Sequence, residues 1–168
     1  MMVTTDDERD MTIEWLSVPR IGEVIALVGT GVPYVAPRTR SDYWLYATLF
    51  STTCPLAVVE GQVVGAVIAF RSQDHPEDIY LQDVVTHPSH RRRGITRALI
   101  DTIAERGRLW GCQRLYLTCA PDNHNAQKAW TTLGFRNLPG DRTIDAVSVI
   151  TDVKGPGATR AVYERRLL

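Results

Sequence analysis

Long apolar runs are missing: no stretch of about 18 apolar residues, the length a membrane-spanning helix needs, occurs in the 168 residues. No transmembrane span is therefore expected. An excess of either charge is missing too. Lys and Arg total 19, Asp and Glu total 19, and the formal net charge is zero. Nucleic acids and anionic membranes select a basic excess, so neither partner is expected. Cysteine is scarce, with three residues (Cys54, Cys112, Cys119) at irregular spacing. An odd count argues against a disulfide framework and fits a reducing cytosol, which makes a cytoplasmic location the expectation. The pattern G-x-x-x-x-G-K-[ST] does not occur, which excludes a P-loop nucleotide enzyme. Repeats and low-complexity blocks are also absent. Residues 1–10, MMVTTDDERD, are acidic and polar, unlike a signal peptide, and read as a flexible lead-in.

What is present is ordinary globular material, 44% hydrophobic and 23% charged, enough for one domain over residues 11–168. Met11 to Ser17 alternates and predicts a strand. A helix follows Pro19, with Ile21, Val24, Ile25 and Val28 on one face. Ser41 or Asp42 is the expected cap of a second helix running to about Phe50. Leu56 to Arg71 reads as a hairpin turning at Gly61-Gln62, and Ile79 to Thr86 as a central strand. A helix from Ile95 to Trp110 ends at Gly111, Arg114 to Cys119 alternates as a strand, and a last helix covers Asn125 to Leu133. Thr143–Val153 and Thr159–Leu167 read as closing strands. The fold class is mixed α/β.

Between the central strand and the third helix lies Arg91-Arg92-Arg93-Gly94. The first turn of a helix carries amide N–H groups without an intrahelical partner, and the helix dipole adds partial positive charge. A glycine lets the backbone approach a phosphate, and guanidiniums add charge-assisted donors. A pyrophosphate or another multiply charged anion is the expected ligand. From charge alone, a solvated basic turn capping a surface helix is the favoured reading.

The run VVTHPSHRRRGITRALI resembles the acetyl-CoA-binding motif of the GCN5-related N-acetyltransferase (GNAT) family, with Arg91, Gly94 and Thr96 at the signature positions. Thr96 stands where the family has Gly or Ala, which would set the last amide further from the phosphate. Asn123, Ala126 and Leu133-Gly134-Phe135 match the family's downstream N-x-x-A…G-F element, and the hairpin looks like its second and third strands, so the resemblance covers Leu56 to Phe135. It implies a GNAT fold: a central, mostly antiparallel, splayed sheet flanked by about four helices. It also implies acetyl-CoA as co-substrate, with no metal. The backbone of Val84, Val85 and Thr86 would pair with pantetheine, and an N–H there would polarise the thioester, a contribution of about 3–4 kcal/mol. Amides from Arg91 through Arg92, Arg93, Gly94, Ile95 and Thr96 to Arg97 would hold the pyrophosphate. Asn123 would bond the pantetheine arm, and Trp130 would also contact the cofactor.

The acceptor amine, with a pKa near about 10.4, must lose a proton before attack. Asp83 is the first candidate base and His87 the second. A strand-end carboxylate paired with an arginine, and a solvent-facing turn residue, are the competing readings. His87 and His90 have no Cys or acidic cluster nearby, so no metal site is expected. Trp130 replaces the tyrosine that often protonates the leaving thiolate in this family, and an indole N–H is no usable acid. Tyr116 or water would substitute. The stretch from Ser41 to Gly94, with Tyr43, Glu60, Gly61, Val64, Gly65 and the Gln82–Pro88 region, is similar to diaminobutyrate acetyltransferases. Basic Arg38 and Arg40 do not suit a diamine, so the expected acceptor is the broader class of small amino acids, diamines or amine-bearing metabolites. Tyr34, Tyr43 and Trp44 would line its pocket, or else serve as core aromatics. A protein N-terminal or lysine acetyltransferase and a non-catalytic acetyl-CoA-binding module are the alternatives. Homodimers are common in the family, which makes a homodimer the expected assembly.

Overall fold

A computed structural model describes residues 10–168. The lead-in expected over residues 1–10 lies outside the described residues except for Asp10. Backbone proximity groups the described residues into two units, one comprising residues 10–70 with Asp83–Arg106, the other Arg71–Gln82 with Gly107–Leu168.

In the first unit, β1 (Met11–Trp15), β2 (Pro55–Val59), β3 (Gln62–Arg71) and the second half of β4 (Asp78–Thr86) lie in that order. The β1–β2 and β2–β3 pairs are antiparallel, with a register shift between Ala57 and Val58. The hairpin turns at Glu60 and Gly61, one residue earlier than expected, because both adopt positive φ (50° and 78°), as a tight two-residue turn requires. One sheet face packs on α1 (Ile21–Gly29) and α2 (Arg40–Leu49) through a core that includes Leu16, Val24, Val28, Tyr43, Leu56, Ile68 and Val85. In α1 the buried face takes Leu27 where Ile25 was expected. The cap of α2 is Thr39, not Ser41 or Asp42. Thr39 Oγ1 accepts from the Asp42 amide (3.2 Å) and Asp42 accepts back from the Thr39 amide (3.0 Å), a reciprocal capping box. The other sheet face receives α3 (Ile95–Leu109), whose Ile95 and Leu99 close over Gly65.

In the second unit, β4 pairs in parallel with β5 (Arg114–Cys119) over Asp78–Leu81 and Arg114–Leu117. Antiparallel β9 (Ala161–Arg166) follows β5, and β6 (Arg136–Asn137) flanks β9. The helix α4 (His124–Thr132) connects β5 to β6. Arg114 ties the strands by a two-pronged bond to Asp78 (2.9 and 3.0 Å) and reaches Glu164 (3.4 Å). The single strand expected over Thr143–Val153 is instead a separate hairpin, β7 (Arg142–Ile144) and β8 (Val147–Val149), followed by turns. Asp145 and Ala146 turn it with φ of 50° and 66°, a conformation that the letters Asp-Ala do not advertise.

Candidate active site

The basic segment is shaped by its own hydrogen bonds. At the end of β4 the His87 amide donates to the Val64 carbonyl (2.8 Å), and the chain turns through a short helical bend, Pro88–His90. His87 Nδ1 accepts from the Ser89 amide (3.2 Å), and the Ser89 hydroxyl bridges to Nδ1 of both His87 (2.7 Å) and His90 (2.9 Å). Both imidazoles are thus engaged in shaping the turn. Arg92 then takes a left-handed conformation (φ 63°) and Gly94 another (φ 77°), and α3 begins. Left-handed residues just before a helix curl successive N–H groups towards one point, an anion-binding concavity. For a non-glycine residue this conformation costs about 1–2 kcal/mol. A cavity of about 940 Å³ opens here, lined by His90, Arg92, Arg93, Gly94, Ile95 and Arg97 among others. Pockets for small molecules run from about 300 to 1,000 Å³. Thr96, where the family has Gly or Ala, directs its hydroxyl to Thr86 (3.0 Å), pinning the first turn of α3 to the end of β4.

On the opposite face of β4, Asp83 is 5% exposed and forms an ion pair with Nη1 of Arg38, whose side chain is 34% exposed. Beside them Tyr43 is fully buried. Its hydroxyl lies near the Arg38 backbone and the Asp83 carboxylate but makes no hydrogen bond of good geometry. A buried hydroxyl left so costs about 1–3 kcal/mol. Burial, then the Asp83 charge, pushes the Tyr43 pKa up, against the Arg38 backbone and charge, so the phenol stays protonated at neutral pH. Tyr46 packs against Tyr43 at 5.5 Å and Phe70 at 5.1 Å. Cys54 is pushed up to about 12 by burial and remains an inert thiol. Tyr34 and Trp44, expected with Tyr43 to line the acceptor pocket, are half exposed, on the turn after α1 and on α2. Sequence reasoning noticed Arg38 only as local charge; its partner lies 45 residues away.

In the second unit Asn123 caps α4, its Oδ1 accepting from the Ala126 amide (3.2 Å). Tyr116 packs against Tyr80 (5.1 Å) and beneath the Arg114 guanidinium (4.5 Å). Burial raises its pKa, with Asp78 adding, so this phenol too keeps its proton. Lys154, from the turns after β8, donates to the Tyr80 hydroxyl (2.7 Å), a contact no sequence signal suggested. Trp130 sets its ring against Phe135 (5.6 Å). Its indole also bonds the Cys119 thiol, which burial nonetheless pushes up to about 11. Among the described residues, no three His, Cys, Asp or Glu side chains are placed to hold a metal ion.

Residues 12–135 match the Acetyltransferase (GNAT) family, and they contain both the left-handed basic turn and the Asn123 cap. The chain belongs to this family. An L-2,4-diaminobutyric acid acetyltransferase of Nocardia farcinica is 33% identical over 110 residues, 64% of this chain and 57% of the relative. The chain spans about half the length of the curated relatives it matches. Among solved structures, the diaminobutyrate acetyltransferase of Paenibacillus lautus, in complex with its substrate L-2,4-diaminobutyric acid and coenzyme A, superposes with a TM-score of 0.75. It is 20% identical, over 92% of this chain and 93% of that one. Naa50 of Arabidopsis thaliana, in complex with a bisubstrate analogue, gives 0.71 at 15% identity, over 93% and 98%. The fold is the mixed α/β GNAT fold, a mostly antiparallel sheet with flanking helices. Within it, this GNAT chain uses Thr96 as a clamp on β4 and Trp130 as a partner of Cys119.

Proposed function

We propose that this GNAT chain is an acetyl-CoA-dependent N-acetyltransferase that passes the acetyl group directly to a primary amine of a small metabolite. The observation that carries the reading is the left-handed pair Arg92 and Gly94 leading into α3 beside a cavity lined by arginines. That arrangement suits a diphosphate, with amides from Arg91 to Arg97 as donors. Acetyl-CoA supplies the thioester as co-substrate. The backbone at Val84–Thr86 pairs with the pantetheine arm, and an N–H there stabilises the charge that develops on the thioester oxygen. The amine nitrogen forms the new C–N bond as the C–S bond breaks. Its proton leaves through Asp83 or ordered water, with His87 the less direct choice because its Nδ1 is held by Ser89. The sulfur departs as thiolate, which a thiol pKa of about 8.5 permits without a dedicated acid. Three buried, free cysteines support a cytoplasmic setting.

Two measurements test this reading. Calorimetry should show coenzyme A binding, and a thiol-release screen should show turnover with free amines, L-2,4-diaminobutyric acid among the first tried. A protein that binds no coenzyme A, or that binds it and acetylates only peptides, overturns the proposal.

A further inference from the structure

Resting on that reading, we infer that the hydroxyl pair of Thr86 and Thr96 is a positioning device for acetyl transfer. It fixes the span between the amides that would hold the diphosphate and the strand end that would hold the pantetheine arm. Thr86 is the last residue of β4 and Thr96 the second of α3, and their Oγ1 atoms lie 3.0 Å apart. Both residues are half-buried. A hydroxyl donates and accepts, so the pair is satisfied whichever atom gives the proton. Both side chains are β-branched, which leaves each few ways to turn about χ1.

Each end of the bond is anchored. On the strand side, the next amide, that of His87, donates to the Val64 carbonyl of β3 (2.8 Å), and Val85 lies in the core. The pairing of β4 with β5 ends at Leu81, so the backbone of Val84–Thr86 lies beyond it. On the helix side, the first helical bond runs from the Ala98 amide to the Gly94 carbonyl (3.0 Å). The amides of Ile95, Thr96 and Arg97 therefore precede the helical ladder. Thr96 serves both ends: its amide is one of those donors, and its hydroxyl reaches the strand. Glycine or alanine at this position carries no hydroxyl and leaves the span to packing alone. Coenzyme A is long and flexible, and a fixed span between its two holding points sets where the thioester carbonyl falls along β4. A stabilising N–H acts only at hydrogen-bond distance, and a misplacement of about 1 Å can cost about a hundredfold in rate. Thr96 acts on transfer through Thr86; the chemistry itself asks nothing of either hydroxyl.

The experiment separates the arm from the diphosphate. Calorimetry with the full chain compares coenzyme A with 3′-phosphoadenosine 5′-diphosphate, the same nucleotide without its pantetheine arm. Thr96→Ala should leave the affinity for the nucleotide within about twofold of the wild type. It should weaken coenzyme A about fivefold and lower kcat with the best amine about tenfold. Thr86→Val, close in shape to threonine, should behave alike. The double variant should be no worse than either single one, since the same bond is broken in all three. Thr96→Ser keeps the hydroxyl and should restore both the affinity and the rate. Should one single variant fail to fold, the other and Thr96→Ser still decide the matter. Equal weakening of both ligands marks a merely structural contact and overturns the inference. So does a Thr96→Ala protein with unchanged coenzyme A affinity and rate, or a double variant whose losses add. A wild type that binds neither ligand would overturn the proposed function instead.

Discussion

Gly94 and Asp83 answer different questions. Gly94 has φ of 77° and nothing within 4 Å of where a Cβ would stand, so its constraint is backbone conformation and not space. Proline fixes φ near about −65°, which this turn cannot accept. Gly94→Pro should abolish coenzyme A binding in calorimetry; retained binding would remove the left-handed turn from the explanation. Asp83→Asn keeps the size of the side chain but removes the charge. Coenzyme A binding should survive, and turnover should slow by about a hundredfold or more if Asp83 takes the proton. An unchanged rate would leave Asp83 as a holder of Arg38 alone. At this scale the letters were informative where local geometry rules, as at Gly94, whose signature position was readable. They allowed an arginine partner for Asp83 without saying that it is Arg38, and were silent on the isolation of the Tyr43 hydroxyl, because neither has a spacing that a sequence can display.

The element most exposed to packing is α3, since its first turn must meet both the end of β4 and the face of β3. Gly65 on β3 makes room for it: a Cβ there would lie 2.7 Å from Ile95 Cγ2 and 3.2 Å from Leu99 Cδ1. Overpacking of this kind costs about 1–3 kcal/mol. Gly65→Ala should therefore lower the melting temperature and weaken coenzyme A binding by about tenfold, because the helix that moves is the one whose N-terminus would hold the diphosphate. Adding Ile95→Ala should recover part of both losses. A double variant no better than the single one would show that the clash lies elsewhere. Periodicity predicted the core elements well: α3 begins at Ile95 as expected, and β5 occupies Arg114–Cys119. It failed over Thr143–Val153, where alternating apolar letters conceal two short strands, since the turn between them rests on left-handed Asp145 and Ala146. The short strand β6 was missed because its two residues have no pattern of their own and exist only through pairing with β9.

For the whole molecule, the buried acids set an alkaline limit. Burial raises Cys54 from an ordinary thiol value of 9.0 to about 12 and Cys119 to about 11, and it also raises Tyr43, Tyr46, Tyr116 and Tyr163. Below pH of about 9 both folded and unfolded thiols are protonated, and pH has no leverage through them. Above it the unfolded chain releases protons that the folded chain retains, so stability falls by about 1.4 kcal/mol per pH unit for each such group. The loss through Cys54 continues until pH approaches its folded value of about 12. The melting temperature should therefore drop steadily from about pH 9 upward, and Cys54→Ala should flatten the slope while lowering the neutral-pH value through its cavity. Parallel slopes for the two proteins would clear Cys54 of the effect.

By itself the sequence determined the class of fold, the family and the place of the basic turn before α3, because a turn between strand and helix is a local device whose physics travels with its residues. Only the tertiary structure decided which distant side chains meet. Burial seals the Tyr43 hydroxyl, the sheet carries Asp83 to Arg38 across 45 positions of chain, and Thr96 finds Thr86 across the first turn of α3. Those pairings depend on distances between elements, which the order of residues does not encode one at a time.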